Sequence, residues 1–232
     1  FKSYFTQPGI APVVFYIVTF RLGDALMLKQ APLFLMDAAD KGGLAIPLSQ
    51  IGVINGTVGV IFLLFGGIAG GVLIAKQGLK KWFWPLSILM NGALPLYWLL
   101  ALLKPALPWV YAVNSFEQLA YGFGTAAYTV FLLTTIKNAE YRAAHYAITT
   151  AMMALGVMIP QLASGLMQSW LHYDNFFLVA SLLALPGLAA IPFLPLWKEE
   201  DIGSGNGKSK GDGDGDGNGN GQPRNAAAVG SR

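Results

Sequence analysis

Two stretches of the chain carry charge where the surrounding residues are apolar. In FRLGDALMLKQAPLF, residues 20–34, Arg21, Asp24 and Lys29 interrupt a run that is apolar before them and apolar again after Ala31. In a later run, Glu117 is accompanied by Asn114, Gln118, Tyr121, Thr125 and Tyr128. Arg21 and Asp24 are three residues apart and share a helix face, so each partly neutralises the other. A guanidinium can grip a carboxylate through two parallel hydrogen bonds, which suits recognition of an anionic solute. The same pair also reads as an internal ion pair holding helices in register. The residues around Glu117 repeat at three and four positions and fall within about 100° on a helix, a polar stripe that lipid would not tolerate. With Arg21 and Lys29, the residues Asn114, Gln118, Tyr121 and Tyr128 are the candidates for contact with a solute. Glu117, then Asp24, are the candidates for carrying a proton, against a static hydrogen-bonding role. Lys29 also has a bland reading, since a long side chain near a helix end can snorkel toward water.

The elements that must position these residues follow from composition. The chain has 232 residues, 54% hydrophobic and only 12% charged, with 28 glycines and no cysteine. Soluble domains carry about 25% charged residues, so this chain lacks the surface a soluble fold needs. The absence of cysteine excludes a disulfide framework and a Cys-based metal site. A net charge of +3, dispersed along the chain, does not suit nucleic acid.

Apolar runs separated by polar breaks predict helices over residues 11–37, 49–75, 82–103, 108–136, 143–170 and 175–197. Crossing a hydrocarbon core of about 30 Å takes about 20 residues, which all six provide. The expected fold is all-α, a six-span membrane bundle over residues 1–200, followed by a disordered Gly/Asp/Asn-rich cytoplasmic tail over 201–232. Asp212, Asp214 and Asp216 imitate the start of a calcium loop, but Pro223 stands where the bidentate glutamate belongs. Lys2, Lys76, Lys80, Lys81, Lys137, Arg142 and Lys198 gather on one side of the expected membrane. By the positive-inside bias, that side and both ends of the unit are cytoplasmic. The chain does not begin with Met and enters its first helix almost at once, as a piece of something larger would.

Gly52, Gly56, Gly59, Gly66, Gly67 and Gly70 lie on one stripe of the second helix, where small residues let backbones approach closely in lipid. Directly after it, GVLIAKQGLKK resembles the loop signature of the major facilitator superfamily. Gly71, Leu73, Lys76, Gly78, Lys80 and Lys81 match; Ala75 stands in place of the acidic residue and Leu79 in place of one basic residue. FRLGDAL, residues 20–26, FEQLAYGFGTAAYTVFLL, residues 116–133, and AHYAITTAMMALG, residues 144–156, resemble the muropeptide-permease family within that superfamily. His145 and Lys29 depart from the pattern of better-known members.

The resemblance implies the C-terminal half of a twelve-helix, proton-driven permease of the bacterial inner membrane, importing anhydromuropeptides or a related solute by alternating access. It implies as partners a small-molecule solute, protons, lipid, and the N-terminal six-helix half or a second copy of this chain. No cofactor is expected, and no nucleotide-binding GxxxxGK[ST] loop is present. A non-transporting sensor on the same fold, or a carrier of another organic anion, is the alternative. A serine protease is disfavoured, since Ser164 lies in LASG, with His145 and His172 at helix ends. His145 itself is expected at an exposed helix start.

Overall fold

The computed structural model describes residues 2–7, 9–136 and 141–197, and every long element among them is helical. A short helix α1 (Lys2–Phe5) precedes α2 (Ile10–Thr19) and α3 (Leu22–Met36), which together form one broken rod. Next come α4 (Leu48–Ile51), an eight-residue π-helix over Gly52–Gly59, and α5 (Val60–Gln77). A second rod is built from α6 (Leu79–Gly92) and α7 (Pro95–Leu103). The long α8 (Leu107–Thr135) follows, then α9 (Arg142–Leu183) and α10 (Leu185–Ala190). The tail beyond residue 201 and the basic residues Lys137 and Lys198 lie outside the described residues.

Among the described residues, four helical runs are long and apolar enough to cross a membrane, by length and composition: Ile10–Met36, Leu48–Gln77, Leu79–Leu103 and Arg142–Phe193. Six were expected, and the difference has two physical sources. The 29 residues of α8 are long enough, but the polar stripe around Glu117 lowers their apolarity. The run Arg142–Phe193 counts once at 52 residues, yet His172 breaks its backbone at φ 58°, ψ 172°. A straight α-helix of that length would reach nearly 80 Å at 1.5 Å per residue, far beyond a bilayer core.

Breaks elsewhere have legible causes. Gly78 separates α5 from α6 at φ 87°, in the left-handed region that glycine enters without a Cβ clash. Pro108 and Pro186 open α8 and α10 in their first turns, where the missing N–H costs nothing. At residues 20–21 the first rod departs from the α-helix, and Gly187 of α10 packs directly onto the Phe20 backbone there. A Cβ at 187 would collide with that backbone.

Packing is organised around two long helices. α8 packs against α5 and α6, while α9 packs against α2, α3 and α7. Of the predicted glycine stripe, Gly59, Gly66 and Gly70 meet α8 closely: a Cβ on Gly66 would strike the carbonyl of Leu119. Gly122 answers from the other side, against the carbonyl of Leu63. Gly52 and Gly56 are different, because a Cβ at either meets nothing within 4 Å. The stripe therefore does its packing over only part of its length.

The buried side chains form two apolar clusters. One gathers Leu26, Phe34, Leu94, Tyr97, Val110 and Phe177. The other gathers Tyr16, Phe20, Met90, Tyr128 and Phe131. Along the first rod the changeover falls between Phe20 and Leu26, and along α8 between Val110 and Ala127. The charged residues lie in that gap.

Candidate functional site

Arg21 stands at the break between α2 and α3, where it is the residue preceding the first turn of α3. Its Nε and one Nη both donate to Oδ2 of Asp24, at 3.1 and 2.8 Å. The same Nη donates to the hydroxyl of Tyr121 at 2.5 Å, and the guanidinium carbon sits 5.4 Å from the Tyr121 ring centroid. Asp24 is only 3% exposed. Burial of a charge is costly unless it is paired and hydrogen-bonded, and Arg21 meets both requirements for Asp24. The i, i+3 pair expected from spacing is therefore formed, and Tyr121 closes it from α8.

Beside this cluster lies a cavity of about 360 Å³. From α8 it is lined by Asn114, Glu117, Gln118 and Tyr121, and from the first rod by Asp24. Asn55 of the π-helix and Tyr97 of α7 complete its polar wall, and Met27, Ala31 and Leu63 form part of its apolar wall. Five of the sequence candidates thus meet at one place: Asp24, Asn114, Glu117, Gln118 and Tyr121. Asn55 and Tyr97 join them. In the sequence both are weaker candidates, Asn55 for a bond across helices and Tyr97 for stacking on a sugar ring, because a lone Asn and a Tyr in an apolar helix carry no periodic signal.

Hydrogen bonds fix the wall. Tyr97 donates its hydroxyl to Oδ1 of Asn114 at 2.9 Å, and Nδ2 of Asn114 donates to the carbonyl of Ile54 at 3.0 Å. Asn114 is 1% exposed, and its amide thereby ties α7 and the π-helix to α8. Gln118 donates Nε2 to Oε2 of Glu117 at 3.0 Å, which orients that carboxyl within the cavity.

Three candidates lie apart from the cavity wall. Arg21 is one residue removed from it, covered by Asp24 and Tyr121, both of which do line it. Lys29 is exposed on α3 and is not a lining residue. Tyr128 is buried in the second apolar cluster, stacked on Phe20 at 5.4 Å between centroids. Its hydroxyl donates to the carbonyl of Ile17 at 3.2 Å, in the last turn of α2 just before the break. Neighbouring helices commonly satisfy backbone groups that a broken membrane helix leaves over.

In the basic loop, Gly71 has open space about it, Lys76 is exposed in the last turn of α5, and Lys81 donates to Oε1 of Gln77 at 2.6 Å. Lys80, one residue earlier, lies in the first turn of α6. His145 departs from its expected exposed position. It is 3% exposed, 2.8 Å from Nε2 of Gln7 through Nδ1, and edge-on to Tyr4 at 5.4 Å. Thr149, one turn on, donates to the Tyr4 hydroxyl at 3.0 Å. The segment before α2 covers the start of α9, and that contact, 138 residues distant in sequence, gave no local sign.

No family model matches the chain. Over 187 residues it is 28% identical to the anhydromuropeptide permease of Escherichia coli K12, covering 81% of this chain and 37% of that protein. It is 25% identical over 194 residues to a transporter named AmpG 4 from Rickettsia felis, covering 84% of this chain and 45% of the relative. A Rickettsia prowazekii transporter named AmpG 3 is 23% identical over 185 residues, 77% of this chain and 41% of that one. The chain is AmpG-like in sequence across most of its length. It spans less than half the length of these relatives. With its long apolar helices, it is an integral membrane protein.

Proposed function

We propose that the chain is half of a secondary active transporter, with the cavity between α3, α7, α8 and the π-helix forming part of its solute path. The observation that carries this reading is the cavity itself: two carboxylates and a polar wall held inside apolar, membrane-length helices of an AmpG-like sequence. Ionisable groups at such a depth are expensive and mark solute or proton pathways. The broken first rod, with Arg21 at the break, fits transporter sites built on discontinuous helices.

In this reading the unit has six spans, since α8 spans with its stripe turned inward and His172 divides the last run in two. It forms the C-terminal half of a twelve-helix fold in the bacterial inner membrane, with both ends cytoplasmic. The basic loop over Gly71–Lys81 lies on that side. The solute class follows the relatives' names, an anhydromuropeptide or a related sugar–peptide fragment, moved by alternating access. Glu117 carries the coupled proton: its carboxyl lines the cavity, while Arg21 holds Asp24 as the fixed charge. Full-length protein in proteoliposomes tests this directly. Glu117→Gln abolishes uptake driven by a proton gradient yet retains counterflow exchange, which needs no net proton movement. Gradient-driven uptake at the wild-type rate in Glu117→Gln removes the proton from this residue.

A further inference from the structure

Arg21 leads the sequence to suggest a site that reads negative charge, and the cavity has the opposite character. Asp24, Asn55, Tyr97, Asn114, Glu117, Gln118 and Tyr121 supply its polar atoms, and among the described residues no lysine or arginine lines it. Some of the donor capacity is used within the wall. Tyr97 donates to Asn114, Asn114 donates to the Ile54 carbonyl, and one amide hydrogen of Gln118 serves Glu117. The Tyr121 hydroxyl oxygen accepts from Arg21, which leaves its own hydrogen to donate.

The acceptors are left over. Both hydrogen bonds from Arg21 fall on Oδ2 of Asp24, which leaves Oδ1 without a partner among the described residues. Gln118 engages Oε2 of Glu117, which leaves Oε1 in the same state, and the Gln118 carbonyl oxygen is likewise unengaged. A carboxylate oxygen accepts only, and a fixed charge with spare lone pairs is best met by a group that brings hydrogens and positive charge.

We propose that this cavity binds the primary ammonium end of the solute, with Asp24 as its counter-ion and Glu117 and Gln118 as further acceptors. The proposal rests on the reading of the cavity as the solute path and names the chemistry that path recognises. Three ammonium hydrogens match three acceptors of one wall, where a solute carboxylate would lie beside the carboxyl groups of Asp24 and Glu117. Arg21 is then a positioning residue: it holds Oδ2, and so aims Oδ1 at the cavity. Glu117 accepts through an oxygen whether protonated or not, so the ammonium and the coupled proton do not exclude one another. At about 360 Å³ the cavity lies near the small end of the ~300–1,000 Å³ range of ligand sites. It suits one end of a larger molecule.

Three probes separate the alternatives on full-length protein in lipid nanodiscs: alanyl-alanine, its N-acetyl derivative, and its C-terminal amide. Titration calorimetry should show the dipeptide and the amide binding within about threefold of one another. The N-acetyl compound should bind about ten- to a hundredfold more weakly, the worth of one charge-assisted hydrogen bond. Asp24→Asn should bring the two amines down to the N-acetyl value and leave the N-acetyl value unchanged. The wild-type comparison stands even where that variant folds poorly. Equal binding of dipeptide and N-acetyl compound, selective loss with the amide, or no binding of either amine overturns the proposal. If the amines bind as expected but vesicles show no solute uptake, the transporter reading fails and the ammonium site stands.

Discussion

The Arg21 guanidinium places two hydrogen bonds, 3.1 and 2.8 Å long, on a single oxygen of Asp24. The fork is thus converging on one atom and not spread across both oxygens. That geometry separates the charge, which is neutralised on one side, from the acceptor, which remains available on the other. It also makes the two residues interdependent.

Removing one partner should therefore be far worse than removing both. Arg21→Met leaves an uncompensated buried carboxylate and should cost about 3–5 kcal/mol. The double variant Arg21→Met/Asp24→Leu should regain much of that loss, since an apolar pair of similar volume is often neutral or better. Thermal unfolding in detergent micelles, run as a double-mutant cycle, checks it. Additive losses would mean that the two side chains act independently.

Arg21→Lys keeps the charge but not the planar fork, so it loses the simultaneous hold on Asp24 and Tyr121. If Arg21 positions Asp24, binding of an acidic solute and of its neutral amide should fall together, by about the same factor. A loss confined to the acidic solute would make Arg21 a reader of substrate carboxylate, as its type and mid-run position first suggest.

The sequence makes the α8 stripe legible because a polar face at three- and four-residue spacing is a helical signal in itself. Arg21–Asp24 is legible for the same reason. What closes the site is not. Tyr121 meets Arg21 across 100 residues, and Asn114 reaches Ile54 across 60, and no local pattern encodes either meeting. Tyr128 shows the converse. It lies on the stripe by periodicity, but α8 carries it past the cavity and into the aromatic cluster around Tyr16. The breaks at residues 20–21 and at His172 also lack the glycine or proline that usually announces one.

The glycine stripe divides into two predicted behaviours. Gly66→Val would drive a side chain into the Leu119 backbone and should lower the unfolding midpoint sharply or abolish expression. Gly52→Ala meets open space and trades backbone freedom for helix propensity, a gain of about 0.5–1 kcal/mol. Parallel melting curves of the two variants decide the matter. Equal destabilisation would show that the stripe packs along its whole length.

The contact between Gln7 and His145 should restrain the segment before α2. His145→Leu removes a partly buried hydrogen bond worth about 1–3 kcal/mol. Amide exchange over residues 4–7 should then speed up by roughly five- to a hundredfold or more, with α8 unaffected. Unchanged exchange would mean the segment is held by its other contacts, that of Tyr4 with Thr149 among them.

Transport by this path requires water and solute to reach the cavity between α3, α7 and α8. This chain has no cysteine, so single replacements at Gln118, Tyr121 and the exposed Leu64 report on accessibility with no background from it. With a membrane-impermeant thiol reagent, cysteines at 118 and 121 should be labelled, and added solute should slow that labelling. Cysteine at 64 should stay unlabelled, because a thiolate does not form in lipid. If 118 and 121 prove as inert as 64, or react at the same rate with solute present, the cavity is not the transport path.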